Sequence, residues 1–312
     1  MRVHYGINSC KEIIKPVVTV GTFDGVHYGH QKILNRLQKI AKSCNGESVL
    51  LTFDPHPRKV LFKDRKIKLI NSINEKIKIL DELGLDHLVI YPFSEEFSKY
   101  SADEYISELL VNKLKTNTLV IGYDHHFGRN REGNIQLLKV SNEKYSFELE
   151  EIKAHEIDEI KISSTKIRRA IDDGNIHLFK DYCGRFFEFS GKVIHGNGIG
   201  KTIGFPTANI VIGNDDKIIP SDGVYSVICR LNNETIKGIM NIGFKPSVEN
   251  KNIRTIEIHL FNFDKDIYDA LINVQAVSKL RDEIKFPNLD KLKKQISNDI
   301  VHAKSILENT ID

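Results

Sequence analysis

VVTVGTFDGVHYGH, Val17 to His30, begins as a β-branched apolar run, breaks into a glycine-rich turn and closes on two histidines three residues apart. After His30 the period changes to that of a helix, with Ile33, Leu34, Leu37, Ile40 and Ala41 on one face. A short strand, a tight turn and an amphipathic helix form the opening unit of an α/β fold. SVLLTF (48 to 53), HLVIY (87 to 91) and TLVIG (118 to 122) repeat the strand signal, and helical periods fit Asn74 to Leu83 and Ala102 to Leu114. Strands this short and this continuously apolar are buried on both faces. Alternation with helices therefore predicts a parallel, doubly wound sheet whose ligands sit at the strands' carboxyl ends.

After about Gly184 the pattern changes. FEFSGKVI, TANIVI, GVYSVICR, TIKGIM, TIEIHLF and INVQAV follow one another with turn residues and no helices between them, which predicts a six-stranded antiparallel barrel. A helical stripe through Leu289, Leu292, Ile296, Ile300 and Ala303 should then pack on that barrel. The chain of 312 residues is long enough for two cores, and the expected domains are 1–183, α/β, and 184–312, all-β.

Composition narrows the function. The net charge of +3 is spread without a dense basic face, which argues against nucleic acid and for small substrates. No apolar run is long enough for a bilayer and the N-terminus lacks an apolar signal core, so a cytoplasmic protein with no membrane partner is expected. Cys10, Cys44, Cys183 and Cys229 show no metal or redox spacing.

The turn in the opening stretch lies where a strand ends and a helix begins, so amides and helix dipole favour an anion. His27 and His30 are one residue short of the i, i+4 zinc pair, and Gly21 and Gly25 lack the tight first pair of a dinucleotide fingerprint. A phosphate suits two imidazoles there better. KISSTKIRR (Lys161 to Arg169) adds hydroxyls and cations at helical spacing. Ser164 or Thr165 could cap the helix, and Arg168 lies one turn on. GYDHHFGRNREGN (122 to 134) follows the fourth strand and offers Asp124 to a ribose or base. HGNGIGKTIGFPTANI (195 to 210) has one residue too few between Gly196 and the GKT for a P-loop, yet remains a glycine-rich turn able to wrap phosphates. Thr207 and Asn209 alternate in PTAN, share one strand face and present the oxygens a hard cation takes. Taken singly, PTAN is ordinary strand and Glu257 between Ile256 and Ile258 is an ordinary solvent-facing charge, while DPHP (54 to 57) reads equally as a rigid turn or as a ligand site through His56.

Together, GTFDGVHYGH, TFDPHP, GYDHHFG and ISSTKIR resemble the FMN adenylyltransferase half of bacterial bifunctional riboflavin kinase/FAD synthetases. GKVIHGNGIGKTIGFPTAN, GVY (223 to 225), NIGFKPS (241 to 247), EIHLFNFDKDIY (257 to 268) and KLRDEIKF (279 to 286) resemble its riboflavin kinase module. The resemblance implies a Rossmann-like nucleotidyltransferase domain followed by a riboflavin kinase barrel with a C-terminal helix. It also implies that riboflavin, FMN, FAD and ATP are the substrates and products, with Mg2+ as cofactor. Gly21, Phe23, Gly25, His27, Gly29, His30, Asp124, Ser164, Thr165 and Arg168 would then serve ATP in adenylyl transfer. In the kinase module Gly196, Gly198, Gly200 and Lys201 would take ATP phosphates, Thr207 and Asn209 the metal, and Glu257 would be general base. His56 and Arg281 become candidates for flavin binding. His125, Lys201, Ser247 and Asn262 depart from the family's usual residues. HYGH with the KISST patch is also shared with class I aminoacyl-tRNA synthetases, but no anticodon-reading domain or basic surface accompanies it.

Overall fold

The computed structural model describes residues 1–10, 12–62, 67–153, 162–196, 198–232, 234–246 and 252–310. Lys161 and Ser247, named above, lie outside them. The chain divides into two compact units, Met1–Ser164 and Thr165–Asp312.

Unit 1 is built on six parallel strands: β1 (Arg2–Tyr5), β2 (Val17–Val20), β3 (Ser48–Phe53), β4 (His87–Tyr91), β5 (Thr118–Gly122) and β6 (Glu148–Ile152), in the order β1-β4-β3-β2-β5-β6. The four expected strands begin and end where the apolar runs do. The edge strands β1 and β6 escape that reading because RVHY and ELEEI carry polar side chains, as an edge open to water permits. Successive residues of the central strands feed opposite layers. Val17, Leu50 and Leu88 pack with Leu34 and Leu37 of α1 (Tyr28–Ser43) and with Ile79 and Leu80 of α3 (Ile73–Glu82). Val18, Val49, Leu51 and Ile121 pack instead with Ile106, Leu109 and Leu138. The last three come from α4 (Ala102–Glu104, continued as a π-helix over Tyr105–Lys113) and α5 (Ile135–Tyr145). A short α2 (Pro57–Leu61) precedes α3.

Unit 2 opens with α6 (Ser164–Asp172, whose first residue closes unit 1) and α7 (Ile176–Cys183). It continues into β7 (Phe187–Ile194), a one-turn α8 (Ile199–Thr202), β8 (Ala208–Val211), β9 (Gly223–Leu231), β10 (Glu234–Pro246), β11 (Asn252–Leu260) and β12 (Leu271–Arg281). The six strands close into a barrel in the order β10-β11-β8-β7-β12-β9. Phe187, Phe189, Tyr225, Met240, Ile258 and Val274 are buried. α9 (Leu289–Glu308) covers part of the outer surface, where Ile296, Ile300, Ala303 and Leu307 meet Val224, Ile228 and Ile239. One residue of the expected stripe is corrected: Leu289, the first residue of α9, is 56% exposed. All four cysteines are free.

Leu34 is buried against the sheet. Leu34→Ala should therefore destabilise unit 1 by about 2–5 kcal/mol, shifting its urea transition while that of unit 2 stays in place.

Candidate functional site

In unit 1 the sheet order reverses at β2, with β3 and β4 on one side and β5 and β6 on the other. The β2–β3 ladder runs from Val17 to Val20, but β2 pairs with β5 only at Val17 and Val18. The two central strands therefore part at their carboxyl ends, which is where a doubly wound sheet receives its ligand. The loop from Gly21 to His27 lies at this parting. It is strained: Phe23 and Val26 have φ of 45° and 38°, and Gly25 has φ of 92°. Left-handed backbone costs a non-glycine residue roughly 1–2 kcal/mol and persists only where the surroundings impose it. The surroundings do so here. Both carboxylate oxygens of buried Asp24 accept from Ile70 N, at 3.0 and 3.2 Å, and Oδ1 also accepts from Asn71 N at 3.1 Å. Ser164 Oγ donates to the Asp24 carbonyl at 2.8 Å, and Gln31 Nε2 donates to the Val26 carbonyl at 3.0 Å.

His27 is the N-cap residue of α1, whose first turn carries no acid to oppose an anion. The His27 and His30 rings stack with centroids 3.7 Å apart, and Phe23 stacks on His30 at 4.5 Å. A side chain at Gly29 would press within 3.1 Å of the His27 ring, and one at Gly21 would meet the Phe23 ring at 3.0 Å. The sequence-predicted phosphate group of Gly21, Phe23, Gly25, His27, Gly29 and His30 is thus one continuous turn.

Ser164 is the first residue of α6, and its hydroxyl is a donor to the Asp24 carbonyl. Thr165, exposed, and Arg168, half-buried, are the second and fifth residues of α6 and belong to unit 2. Burial and neighbouring Asp173 raise the Asp172 carboxyl above the usual range, against the pull of Arg254 and Arg168. Asp124 is exposed just past the end of β5. His56 is the N-cap of α2, its Nδ1 accepting from Arg58 N at 3.1 Å, and the Asp54–Pro55 peptide is cis.

The sequence reading missed a nest of aromatic rings at the same carboxyl edge. Phe53 ends β3 and Tyr91 ends β4. Their rings, with Phe93 and Tyr100, surround Phe97 at centroid distances of 4.8 to 5.9 Å. Phe53, Tyr91, Phe93 and Tyr100 remain partly exposed. The signal was available as aromatics placed just where FDP and YPF end their strands.

In unit 2 the barrel register assembles the second group. Glu257 lies on β11 between Asn209 of β8 and Asn241 of β10, and Thr207 Oγ1 donates to Glu257 Oε2 at 3.3 Å. The flanking Ile256 and Ile258 are buried, so alternation turns Glu257 to the outer surface. There Glu257, Thr207, Gly200, Asn241 and Arg281 line a partly open cavity of about 290 Å3 that reaches Leu292 and Ile296 of α9. His259 Nδ1 donates to the Pro206 carbonyl at 2.8 Å and so holds the start of PTAN against β11. A side chain at Gly196 would collide with the Asn209 amide, and one at Gly200 with the Phe205 carbonyl and Thr207, so both glycines are required for the turn to lie on these two residues. Gly198 has φ of +69° and open space around it, and Lys201 is exposed on α8. Arg281 is pinned: its Nε and Nη2 donate to Asp299 at 2.8 to 3.1 Å, and Asp299 is 5% exposed and also accepts from Gln295.

A family model for FAD synthetase matches residues 10–166, and one for riboflavin kinase matches residues 183–307. The chain is 42% identical over 309 residues to the bifunctional riboflavin kinase/FMN adenylyltransferase of Buchnera aphidicola subsp. Schizaphis graminum, covering 97% of this chain and 98% of that one. It is 35% identical over 289 residues to the protein of that name from Escherichia coli K12, covering 92% and 91%. Among solved structures it superposes with a TM-score of 0.87 on a Streptococcus pneumoniae protein described as a macrolide-efflux protein. That match has 28% identity and covers 97% of this chain and 99% of that one. Among the described residues of this chain, no helix is long and apolar enough to cross a membrane.

Asp299→Ala should cost about 3–5 kcal/mol in the unfolding of unit 2, because it leaves the Arg281 charge without its counter-ion. Replacing both partners with Arg281→Met and Asp299→Leu should recover most of that loss, as read from the melting midpoint.

Proposed function

The chain belongs to the bifunctional riboflavin kinase/FMN adenylyltransferase family, and we propose that its two activities divide between the barrel cavity and the β2–α1 turn. Riboflavin is phosphorylated to FMN with ATP, and FMN is then adenylylated with ATP to give FAD and pyrophosphate. The observation that carries the assignment is the barrel register, which sets Glu257 opposite Asn209 and within reach of Thr207 at a partly open cavity.

For phosphorylation, Glu257 accepts the proton of the ribityl hydroxyl as its oxygen bonds to the γ-phosphorus and the β–γ bridge breaks to release ADP. Gly196, Gly198 and Gly200 let the turn approach the phosphates closely, with Lys201 nearby as a point charge. Thr207 and Asn209 offer hard oxygens beside the Glu257 carboxylate, a donor set that fits Mg2+ and would hold it. When bound, the ion offsets charge on the ATP phosphates. Arg281, fixed by Asp299, lines the same cavity and is proposed to face the flavin.

Adenylyl transfer needs less of the protein. The FMN phosphate is already anionic, so no base is required. One of its oxygens bonds to the α-phosphorus of ATP, the α–β bridge breaks, and pyrophosphate leaves. His27, His30, the N-terminus of α1 and Ser164 position the triphosphate and stabilise charge developing on it. The resemblance in ISSTKIR adds Thr165 and Arg168, and Asp124 is proposed to contact the nucleoside. Phe53, Tyr91, Phe93 and Tyr100 offer a surface on which an isoalloxazine could stack, with His56 holding the turn beside it. The proposed functional division falls between residues 183 and 184. Consumption of ATP in both steps supports the proposal that the protein works in the cytoplasm.

Incubation with riboflavin, ATP and Mg2+, followed by chromatography of the flavins, should show FMN and then FAD. Glu257→Gln should stop FMN formation and spare conversion of FMN to FAD, while His30→Ala should do the reverse. Equal loss of both activities in either variant would contradict separate sites. Chelation by EDTA should halt FMN formation, and added MgCl2 should restore it.

A further inference from the structure

The strained turn has a further support that the reaction scheme does not use. Lys76 lies in the first half of α3 at 7% exposure, and its Nζ donates to the Thr22 carbonyl at 2.6 Å. The same carbonyl accepts from Thr52 Oγ1 at 3.2 Å, and Lys76 Nζ is 3.4 Å from Thr52 Oγ1. Three elements therefore meet on one carbonyl oxygen: the β2–α1 turn, the carboxyl end of β3 and α3. Thr52 is itself fully buried. Burying an ammonium is costly unless it is paired and hydrogen-bonded. Burial does pull Lys76 below the ordinary lysine value, while the fields of Asp24 and Asp54 oppose that pull. Neutral residues could fill the same space at lower cost, so a lysine kept there asks for a reason that packing does not give.

We propose that Lys76 is a positioning residue for adenylyl transfer, its ammonium and the Thr52 hydroxyl clamping the Thr22 carbonyl so that the turn from Gly21 to His27 is held open to the ATP triphosphate. The proposal rests on the reading that this turn binds ATP. Thr22 immediately precedes Phe23, the first non-glycine residue forced into left-handed backbone, and Asp24 follows under its own restraints from Ile70 and Asn71. Lys76 thus fixes the near side of the strained segment, Asp24 fixes the middle and Gln31 the far side. Releasing the near side lets Phe23 relax, and Phe23 is the ring on which His30 stacks. The positive charge also lies directly under a turn that must accept a polyanion, so its loss weakens ATP more than FMN.

The test uses the full chain, in which riboflavin phosphorylation serves as an internal control. Lys76→Met should raise KM for ATP and lower kcat in FMN-to-FAD conversion, reducing kcat/KM for ATP at least tenfold. KM for FMN and the rate of riboflavin phosphorylation should stay within twofold. Thr52→Val should produce a weaker loss of the same kind, several-fold, and Thr52→Ser should restore kcat/KM to within twofold of the parent. A merely structural role would lower kcat through loss of folded enzyme and leave both KM values unchanged. If Lys76→Met fails to show a cooperative unit 1 transition, the Thr52 pair decides. Folded Thr52→Val with unaltered constants for ATP overturns the proposal, as does folded Lys76→Met with unaltered constants. If His30→Ala leaves FMN-to-FAD conversion intact, it is the placement of ATP at this turn that fails.

Discussion

The ladder between β2 and β5 stops at Val18, two residues before the ladder between β2 and β3, and the N-terminal site depends on that mismatch. A backbone released from one neighbour but held by the other can bend out of the sheet plane. The chain uses the freedom for a turn that no ordinary sequence would adopt unassisted. Phe23 and Val26 sit in left-handed backbone, and the restraints from Asp24, Gln31 and Ser164 compensate for it. Stability is lost locally in exchange for a fixed turn at a helix N-terminus, which on the proposed reading needs no reorganisation when a polyanion arrives.

The barrel solves a related problem without strain in its catalytic strand. Period-two alternation along β11 sends Ile256 and Ile258 inward and leaves Glu257 outward. An outward carboxylate would ordinarily meet water. Here residues of the glycine-rich turn, the segment after β12 and α9 line a partly open cavity beside it, so the carboxylate faces a pocket without entering the core. On the reading proposed above both sites take ATP, one at a strained strand-to-helix turn and the other at a glycine-rich turn beside the oxygens of Thr207, Asn209 and Glu257.

The fold was largely legible because its signals are local. Four buried strands and the barrel's six runs appear as unbroken apolar stretches or strict alternation, and the turn chemistry of FDGVHYGH announces itself. β1 and β6 were not legible, because an edge strand buries too little to need an apolar code. The aromatic nest joins rings at the ends of β3 and β4 with others in the segment after β4, which no periodicity links. The Arg281–Asp299 pair joins a strand end to a helix, so neither residue alone reveals it. Lys76 could have been found. It lies three and four residues before Ile79 and Leu80, on the buried stripe of α3, where a lysine has no business unless something inside receives it.

α6 and α7 carry a practical consequence for cutting the molecule apart. Phe179 of α7 packs edge-on to Phe187 with centroids 5.4 Å apart, and His177 bonds Ser278 at 3.0 Å. A side chain at Gly174, between the two helices, would collide with Ser221 and crowd Tyr225. A barrel expressed from residue 184 onward would thus expose the surface that these helices seal, and the peptide removed would carry Phe179 with no core to enter. Cutting near residue 164 instead keeps the barrel's seal, but it severs α6 at the residue whose hydroxyl braces Asp24.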